Sequence, residues 1–367
     1  MKILVTGGCG FIGSHLIDAL VLSGHEVISF DRDEPPKWQN SGAVYIKGNV
    51  CDNLDSLMAH KFDVIYHLAA EVGSGLSMAN PYIFSHANSL GTTNLIQAMR
   101  KCGKYAIFIV ASSACVYGEA SYICKSHGRQ FPDLRPVSQL QKGQWEVKCP
   151  ECGEDMQADG IEENRILNPA SIYGITKLEQ EVTSLLLGRT WDFPCVAYRF
   201  FGVFGPRQSL GNPYTGVLAL FATRVFAGLP IVHYEDGGQN KSYIHIDDVI
   251  RSMLIPLENE AAYGKAFNIG SEEPVTIRGI AERLVAKINP NIEITTIGKF
   301  RASDTRHMWP NIDYARKIMK WKPDISFEQG MDSLIEWMGG LPSSAIKDSV
   351  SFFEKAEKYA KSYGLEV

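Results

Sequence analysis

The 367-residue sequence lacks several features that would place it in a particular class of protein. It has no run of about 18 apolar residues, and its amino-terminal apolar stretch breaks at once into glycines, so we expect neither a transmembrane helix nor a signal peptide. It has no basic excess, since the formal net charge is −5 and the pI about 6.0, and nucleic-acid binding is not expected. Its 8 cysteines are mostly scattered, unlike a secreted disulfide framework. The sequence therefore predicts a cytoplasmic globular protein with no membrane or nucleic-acid partner.

The amino-terminal stretch has the pattern of a dinucleotide-binding unit. The short apolar run KILVT ends in glycines, and a segment of helical periodicity follows. Gly7, Gly10 and Gly13 would permit a tight turn and a close approach of the backbone to a pyrophosphate, which the amino end of a helix attracts. A second apolar run ends in Asp31, where a carboxylate would bind the adenosine ribose and repel a 2′-phosphate. We therefore predict NAD as the cofactor, and the adjacent Arg32 leaves NADP as the alternative.

Apolar strands and periodic helices continue to alternate after this unit. Near-continuous apolar strands separated by helices indicate a parallel sheet covered on both faces. We predict an α/β fold, a Rossmann-type doubly wound parallel sheet, with a smaller carboxy-terminal substrate-binding lobe. Ligands of such sheets bind at the carboxyl ends of the strands. His67 lies at one such end, and we interpret it as a buried structural histidine.

The predicted domain organisation has three parts. Residues 1–198 form the NAD-binding domain, which contains an insert at 119–166. Residues 199–338 form mainly the substrate-binding lobe, and 339–367 form a helical tail with an amphipathic pattern.

Tyr173 and Lys177 are four residues apart in a segment with a helical pattern, so both side chains project from one face of the helix. An ammonium beside a phenol favours the phenolate, so we expect Lys177 to lower the pKa of Tyr173 and make it a general base. The pair alone is a weak signal, because this spacing arises by chance on many helices.

Several motifs occur together in a fixed order: TGGCGFIGSH, HLAA, SSACVYG, NPASIYGITKLEQE and YRFFGVFGPRQ. With them the sequence resembles, from Met1 to about Met338, the extended short-chain dehydrogenase/reductase family, specifically its NAD-dependent nucleotide-sugar epimerases and dehydratases. The stretch GPRQSLGNPYTGVLALFA and the insert are similar to the dTDP-L-rhamnose 4-epimerase-like branch, and the UDP-glucose 4-epimerase-like branch is the other resemblance.

The resemblance implies roles for individual residues. Ser113 matches the residue that binds the sugar hydroxyl to be oxidised, Tyr173 the base, and Lys177 the residue that binds the nicotinamide ribose. Arg301 matches an arginine that grips the diphosphate, whereas Lys241 stands where relatives usually have an arginine. Residues expected to bind the cofactor are Gly7, Gly10, Phe11, Ile12, Gly13, Asp31, Asn49, Val50, Leu68, Ala69, Ala70, Asn88, Tyr173 and Lys177; those expected to bind the nucleotide-sugar substrate are Ser113, Arg207, Lys241 and Arg301.

The implied reaction is epimerisation at C4 through a transient 4-keto sugar. Tyr173 would take the proton of the C4 hydroxyl while NAD⁺ takes the hydride, which then returns to the other face of the sugar. Dehydratases of the family carry an Asp-Glu pair where this sequence has Ala114 and Cys115, which disfavours a 4,6-dehydratase. A nucleotide-sugar 4-ketoreductase stays an alternative, and the non-enzymatic alternative is a dinucleotide-sensing regulatory protein. Gly202, where the family has asparagine, leaves the substrate contacts open.

The resemblance also implies a homodimer, because relatives pair the helices after Asn88 and around Tyr173. Both helices have apolar stripes beyond what packing on a sheet requires.

The insert contains two residue pairs with the spacing of metal ligands. Cys124 and His127 are spaced C-x-x-H, and Cys149 and Cys152 are spaced C-x-x-C, which together could form a tetrahedral zinc site. We predict structural zinc that holds the polar insert in one shape; the alternative is four reduced residues in a mobile loop. Because the insert lies in sequence between the predicted serine and tyrosine of the active site, we expect it at the mouth of that site.

Overall fold

The computed structural model describes residues 1–210 and 216–362. Residues 211–215, part of the GPRQSLGNPYTGVLALFA stretch, and 363–367, the end of the predicted tail, lie outside the described residues. The strands are β1 (Lys2–Thr6), β2 (Glu26–Asp31), β3 (Val44–Lys47), β4 (Val64–His67), β5 (Ile107–Ser113), β6 (Ser121–Cys124), β7 (Gly128–Gln130), β8 (Gln157–Asp159), β9 (Cys195–Phe200), β10 (Gly202–Phe204), β11 (Ile231–His233), β12 (Asn240–Lys241), β13 (Tyr243–His245), β14 (Lys265–Ile269), β15 (Val275–Thr276) and β16 (Ile294–Thr296).

Helices alternate with these strands along most of the chain. The α-helices are α1 (Phe11–Leu22), α2 (Asp55–Met58), α3 (Ser74–Ala79), α4 (Pro81–Phe84), α5 (Gly91–Lys101), α6 (Val137–Leu140), α7 (Ile172–Trp191), α8 (Val217–Phe226), α9 (Ile246–Leu254), α10 (Ile277–Ile288), α11 (Asp313–Met319), α12 (Phe327–Gly339) and α13 (Ser343–Ser362). A π-helical turn spans Ser85–Leu90, and 3₁₀ turns span Ala114–Val116, Ile255–Leu257 and Glu260–Ala262. Within the described residues, no helix is long and apolar enough to cross a membrane.

The centre of the fold is a 7-stranded sheet in the order β14-β9-β5-β4-β1-β2-β3. All its neighbouring strands are parallel. The chain starts in the middle of the sheet, builds one half through β2 and β3, and then crosses back to build the other half from β4. This switch leaves a crevice at the carboxyl ends of β1 and β4. The predicted fold class is confirmed.

The two faces of the sheet have separate apolar cores. Along β1, Ile3 and Val5 point to one face and pack in a cluster with Leu16 of α1. Leu4 points to the other face and packs in a cluster with Leu95 of α5. This alternation follows from the pleat of the strand. Because helices cover both faces, the strands are apolar over nearly their whole length.

The insert folds as a small antiparallel sheet in the order β7-β6-β8. Its buried apolar side chains, among them Tyr122, Met156 and Ile161, form a third core that includes Val116 and Phe201 from outside the insert. The insert is therefore packed onto the body of the protein, despite its polar composition.

The second lobe is built around a core shared by α8, α10 and α12. The chain does not divide cleanly at residue 198, because that position lies inside β9, and because β14 joins the central sheet beside β9. Helix α9 also returns to pack on α1. The predicted domain boundaries therefore stay a proposal. The tail forms α13 as far as Ser362 and packs against α8 and α3.

Candidate active site

A cleft of about 1760 Å³ lies at the carboxyl ends of the central strands. One wall is formed by the glycine turn after β1 and by the ends of β2, β4 and β5. The opposite wall comes from α8, α13 and the segment 299–308. Sites for a single small ligand measure about 300–1000 Å³, so this cleft has room for a dinucleotide and a second ligand together.

The glycine turn forms a close-fitting cradle at the amino end of α1. Gly7 has φ +72°, and a Cβ on Gly13 would lie 2.3 Å from the carbonyl oxygen of Gly7. Helix α1 begins after Gly10 with no side-chain cap and no acidic residue in its first turn. Its first amides are thus available to an anion, as binding of a pyrophosphate requires.

The carboxylate of Asp31 lies at the end of β2 on the cleft wall. It accepts hydrogen bonds from the backbone N–H groups of Cys9 at 2.9 Å and Asp33 at 3.1 Å. The guanidinium of the neighbouring Arg32 pairs with the carboxylate of Glu71. An anionic Asp31 repels a 2′-phosphate, so the arrangement suits NAD better than NADP.

The other residues expected to bind the cofactor also line the cleft, with the exception of Asn88. Asn88 is fully buried on the π-helical turn. Its amide oxygen accepts from the Glu71 N–H at 2.7 Å, and its amide nitrogen donates to the Glu71 carbonyl at 3.1 Å and to Thr176 Oγ1 at 2.9 Å. Asn88 thus fixes the backbone of Glu71, which lines the cleft, and its direct contact with the cofactor stays a prediction.

Ser113, Tyr173 and Lys177 come together between β5 and α7. Ser113 ends β5, and its side chain lies beside the phenol of Tyr173, where a hydrogen bond to the hydroxyl group would favour the phenolate. Tyr173 lies in the first turn of α7, where its backbone N–H donates to Ser77 Oγ at 2.9 Å. Lys177 lies one turn further along, and its Nζ donates to the Ala111 carbonyl at 2.8 Å.

Burial dominates the electrostatics of this group. It raises the pKa of the Tyr173 phenol well above its usual value, with a smaller contribution from Cys115, although the hydrogen bond to Ser113 opposes it. Burial also lowers the pKa of Lys177 to about 7. The expectation that Lys177 lowers the pKa of Tyr173 is therefore corrected. The ammonium is itself desolvated and faces the Ala111 carbonyl, so it does not offset the cost of a buried phenolate.

His67 is buried beneath the same site. Its ring nitrogens lie 2.8 Å from Thr6 Oγ1 and 2.9 Å from Thr92 Oγ1. Burial, followed by the nearby charge of Lys177, lowers its pKa to about 3. It is thus a neutral, hydrogen-bonded core residue, in agreement with the structural interpretation.

Two of the predicted substrate-binding cations line the far side of the cleft, and one does not. Lys241 is half-buried, and its Nζ donates to the carbonyl and hydroxyl oxygens of Thr305 at 2.8 and 2.7 Å. The guanidinium of Arg301 lies 4.9 Å from the centroid of the Tyr234 ring. Arg207 instead pairs with Asp18 of α1 at 2.6 Å and is not part of the cleft wall. The structure thus places Arg207 outside the cleft wall, and its role in substrate binding stays a prediction.

Gly202 also has a structural explanation. A Cβ at this position would lie 2.6 Å from the carbonyl oxygen of Ser242, because β10 pairs closely with β13 there. The asparagine usual in the family would not fit this backbone arrangement, so this part of the cleft wall is built differently.

The tail contributes residues that sequence analysis missed. Asp348, Ser349 and Phe352 of α13 line the cleft. Their only signal in the sequence was the helical periodicity of the tail, which does not show where the helix packs.

The four predicted metal ligands converge in the insert. The ligand atoms of Cys124, His127, Cys149 and Cys152 all lie within 4.8 Å of one another. The Cys124 and Cys149 sulfurs each lie 3.5 Å from His127 Nδ1, and the Cys124 and Cys152 sulfurs are 3.7 Å apart. Zn–S bonds of about 2.3 Å and Zn–N bonds of about 2.0–2.1 Å in a tetrahedron place ligand atoms about 3.5–3.8 Å apart. These three distances match those in a tetrahedral zinc site.

The insert does not lie where its position in the sequence suggested. Within the described residues, none of 119–166 belongs to the cleft wall. The insert instead contacts the segment 299–308 on the side away from the cleft, through Glu119, Arg135 and Glu146.

The parallel sheet, the uncapped glycine turn and the Ser-Tyr-Lys group define a dinucleotide-dependent enzyme of the short-chain dehydrogenase/reductase class. Comparisons with known proteins agree: the NAD dependent epimerase/dehydratase family matches residues 3–139 and 149–270. The chain is 32% identical to dTDP-L-rhamnose 4-epimerase of Burkholderia thailandensis, covering 92% of this chain and 94% of that protein. This chain belongs to the NAD-dependent epimerase/dehydratase family.

Solved structures of 4-epimerases have the same fold. UDP-glucose 4-epimerase of Thermotoga maritima with UDP-glucose has a TM-score of 0.75 at 25% identity, covering 92% of this chain and 99% of that chain. UDP-glucuronic acid 4-epimerase of Bacillus cereus in complex with UDP-glucuronic acid and NAD has a TM-score of 0.76 at 25% identity, covering 93% and 100%.

Proposed function

We propose that this chain is an NAD-dependent nucleotide-sugar 4-epimerase. The observation that carries the proposal is the position of Ser113, Tyr173 and Lys177 in a cleft with a dinucleotide cradle on one wall and Lys241 and Arg301 on the other. Relatives named as 4-epimerases support it. Residues 1–198 would hold mainly the cofactor, and 199–338 mainly the nucleotide sugar.

The protein's own groups suit the proton transfers of such a reaction. The glycine turn, Asp31 and Lys177 would hold NAD⁺, which when bound supplies a hydride acceptor and a positively charged ring. Ser113 would orient the C4 hydroxyl toward Tyr173, which accepts its proton as C4 is oxidised. Reduction of the ketone on the opposite face, with return of the proton from Tyr173, gives the C4 epimer with no net redox change. Since burial raises the pKa of Tyr173, the phenolate depends on positive charge at the site.

Two other reactions of the class fit less well. A 4,6-dehydratase needs an acid and a base at C5 and C6, whereas Ala114 and Cys115 follow Ser113 here, and Cys115 Sγ contacts Ser74 Oγ at 3.7 Å. A 4-ketoreductase would use the same three residues but consume a reduced cofactor. A purely regulatory role would leave the complete Ser-Tyr-Lys group without a use.

The substrate class follows from the far wall of the cleft. A diphosphate requires cations or hydrogen-bond donors, and Lys241 and Arg301 supply them there. The relative from Burkholderia acts, by its name, on dTDP-L-rhamnose, which favours a dTDP-6-deoxyhexose among the nucleotide sugars.

A structural zinc ion is part of the proposal. The spacing of the four ligand atoms fits zinc, and three thiolates with one imidazole are ligands that zinc prefers. Burial alone would raise the pKa of Cys124, but hydrogen bonds from the backbone N–H groups of Ser126 and His127 hold this pKa below its usual value. The lower pKa favours the thiolate. With all four positions taken by protein, the ion would stabilise the insert and take no part in catalysis.

A homodimer is also proposed. Large apolar side chains are exposed on α4, the π-helical turn and α7, on one side of the protein: Tyr82, Ile83, Leu90, Ile175, Val182 and Leu186. Exposed apolar side chains on helices that contact one another, as α4, the π-helical turn and α7 do, are typical of a protein interface. Pairing of these helices in two copies would cover them.

The test is an assay of the purified protein on a panel of UDP-, dTDP- and GDP-sugars, with C4 configuration measured by NMR. We expect the protein to interconvert one pair of C4 epimers without net consumption of NAD⁺ or NADH. Tyr173→Phe should abolish it while NAD binding stays within about twofold, because the phenyl ring still fills the space of the tyrosine ring. Consumption of NADPH with a 4-keto substrate, or release of water, would replace the proposal by a ketoreductase or a dehydratase.

A further inference from the structure

The segment 299–308 has two sides with different neighbours. Its front side lines the cleft through Arg301, Ser303 and Thr305, beside Lys241. Its back side is held by side chains of the insert. We propose that the insert is a buttress for this segment, with Glu146, Arg306 and Glu235 as positioning residues for the nucleotide diphosphate; the inference rests on the proposed nucleotide-sugar substrate.

Arg306 is the centre of the connection. Its side chain is 2% exposed, and it forms ion pairs with Glu146 of the insert at 2.6 Å, Glu235 at 3.0 Å and Asp236 at 2.7 Å. A buried guanidinium is stable only when carboxylates and hydrogen-bond acceptors surround it. One of the three carboxylates that hold Arg306, and with it the neighbouring backbone, therefore comes from the insert.

Two further contacts join the insert to the backbone of the segment. The Arg306 backbone N–H donates to the Glu119 carboxylate at 3.0 Å. Arg135 donates to the Asp304 carbonyl at 3.1 Å and is itself paired with Glu235 at 2.9 Å. The backbone of the segment is thus held at Asp304 and Arg306, next to the side chains that face the cleft.

Glu146 belongs to the hairpin that carries two of the proposed metal ligands. It precedes Cys149 by three residues, and the hairpin is closed by hydrogen bonds from Met156 N to Val147 O at 3.0 Å and from Cys149 N to Glu154 O at 2.8 Å. Order in this hairpin places the Glu146 carboxylate against Arg306. Burial alone would raise the pKa of Glu146, but hydrogen bonds from His307 and Arg306 lower it to about 2. The Glu146 carboxylate is therefore charged at neutral pH.

The same hairpin offers a matched control. Lys148 and Asp155 form an ion pair at 2.7 Å on its exposed side, and neither side chain is part of the contacts behind the segment. Lys148→Ala therefore removes a charged pair from the hairpin without removing a contact to 299–308.

The experiment compares Glu146→Ala, Glu146→Gln and Lys148→Ala with the unmodified protein. It measures the Kd values for UDP, dTDP and NAD by calorimetry, and amide hydrogen exchange without nucleotide. We expect Glu146→Ala to speed exchange in 303–306 and to weaken the nucleoside diphosphate by roughly fivefold or more, the usual size of coupling between an ordered element and a site. The Kd for NAD should not change. Glu146→Gln, which keeps an acceptor for Arg306, should restore part of the affinity, and Lys148→Ala should have no effect.

Two results would overturn the buttress. One is unchanged exchange in 303–306 in Glu146→Ala, whatever the ligand affinities. The other is an equal loss of NAD and nucleoside diphosphate binding, which shows general damage to the fold. If the unmodified protein binds neither UDP nor dTDP, the proposed substrate class fails, whereas the exchange comparison still decides whether the insert orders the segment.

Discussion

Replacing Lys177 with methionine should stabilise the protein at low pH and remove its activity. Lys177 is 3% exposed, and burial lowers its pKa from 10.5 to about 7. At about 1.4 kcal/mol per pH unit, this difference means that the charged form costs about 5 kcal/mol in the folded state below pH 7. Methionine avoids this cost but loses the hydrogen bond to the Ala111 carbonyl, worth about 1–3 kcal/mol. The net gain at pH 6 is about 2–4 kcal/mol.

The sign of the pH dependence follows from proton binding. Between pH 7 and 10.5 the unfolded chain keeps a proton on Lys177 that the folded protein has lost, so the original protein gains stability as pH rises through this window. The advantage of Lys177→Met therefore shrinks above pH 7 at about 1.4 kcal/mol per pH unit and disappears between about pH 8.5 and 10.

The assay is urea unfolding of cofactor-depleted protein at several pH values from 6 to 10. Lys287→Met is the matched control, because Lys287 is partly exposed and its hydrogen bond to Asp332 raises its pKa. It should show no gain of this kind. A stability difference for Lys177→Met that stays constant from pH 6 to 10 would refute the reasoning.

Three further predictions concern the metal, the assembly and the tail. Purified protein should contain one zinc per chain by elemental analysis, and Cys152→Ser should release it; metal-free protein with an ordered insert would contradict the zinc site. Leu186→Asp should yield a monomer by light scattering, because it places a charge among the exposed apolar side chains of α4 and α7, and an unchanged mass would exclude this interface. Removal of residues 343–367 should raise KM for the nucleotide sugar and leave NAD affinity unchanged, since Asp348 and Phe352 line the cleft; an unchanged KM would show that the tail does not serve the site.

The parts of the site that depend on local backbone could be predicted from the sequence. The turn at Gly7, Gly10 and Gly13 needs a particular backbone conformation and close packing, which few residues other than glycine allow. The four-residue spacing of Tyr173 and Lys177 fixes them on one face of a helix. Both features depend on neighbours in the sequence, and both lie on the cleft.

The parts that depend on distant packing could not be predicted. Arg207 pairs with Asp18, 189 residues away in sequence, and no local pattern indicates that contact. Burial by several elements raises the pKa of Tyr173. The spacing between Tyr173 and Lys177 alone suggested that this pKa would be lowered. The insert follows Ser113 in sequence but packs behind the segment 299–308, because Arg306 and its carboxylate partners join them.

The central claim is that C4 of a nucleotide sugar is oxidised and re-reduced inside one cleft. The most direct test supplies the enzyme with a nucleotide sugar carrying deuterium at C4 and follows the product by mass spectrometry and NMR. We expect the C4 epimer with the deuterium retained at C4 and no accumulation of free NADH. Loss of the deuterium to solvent, or an accumulated 4-keto sugar as the final product, would contradict it.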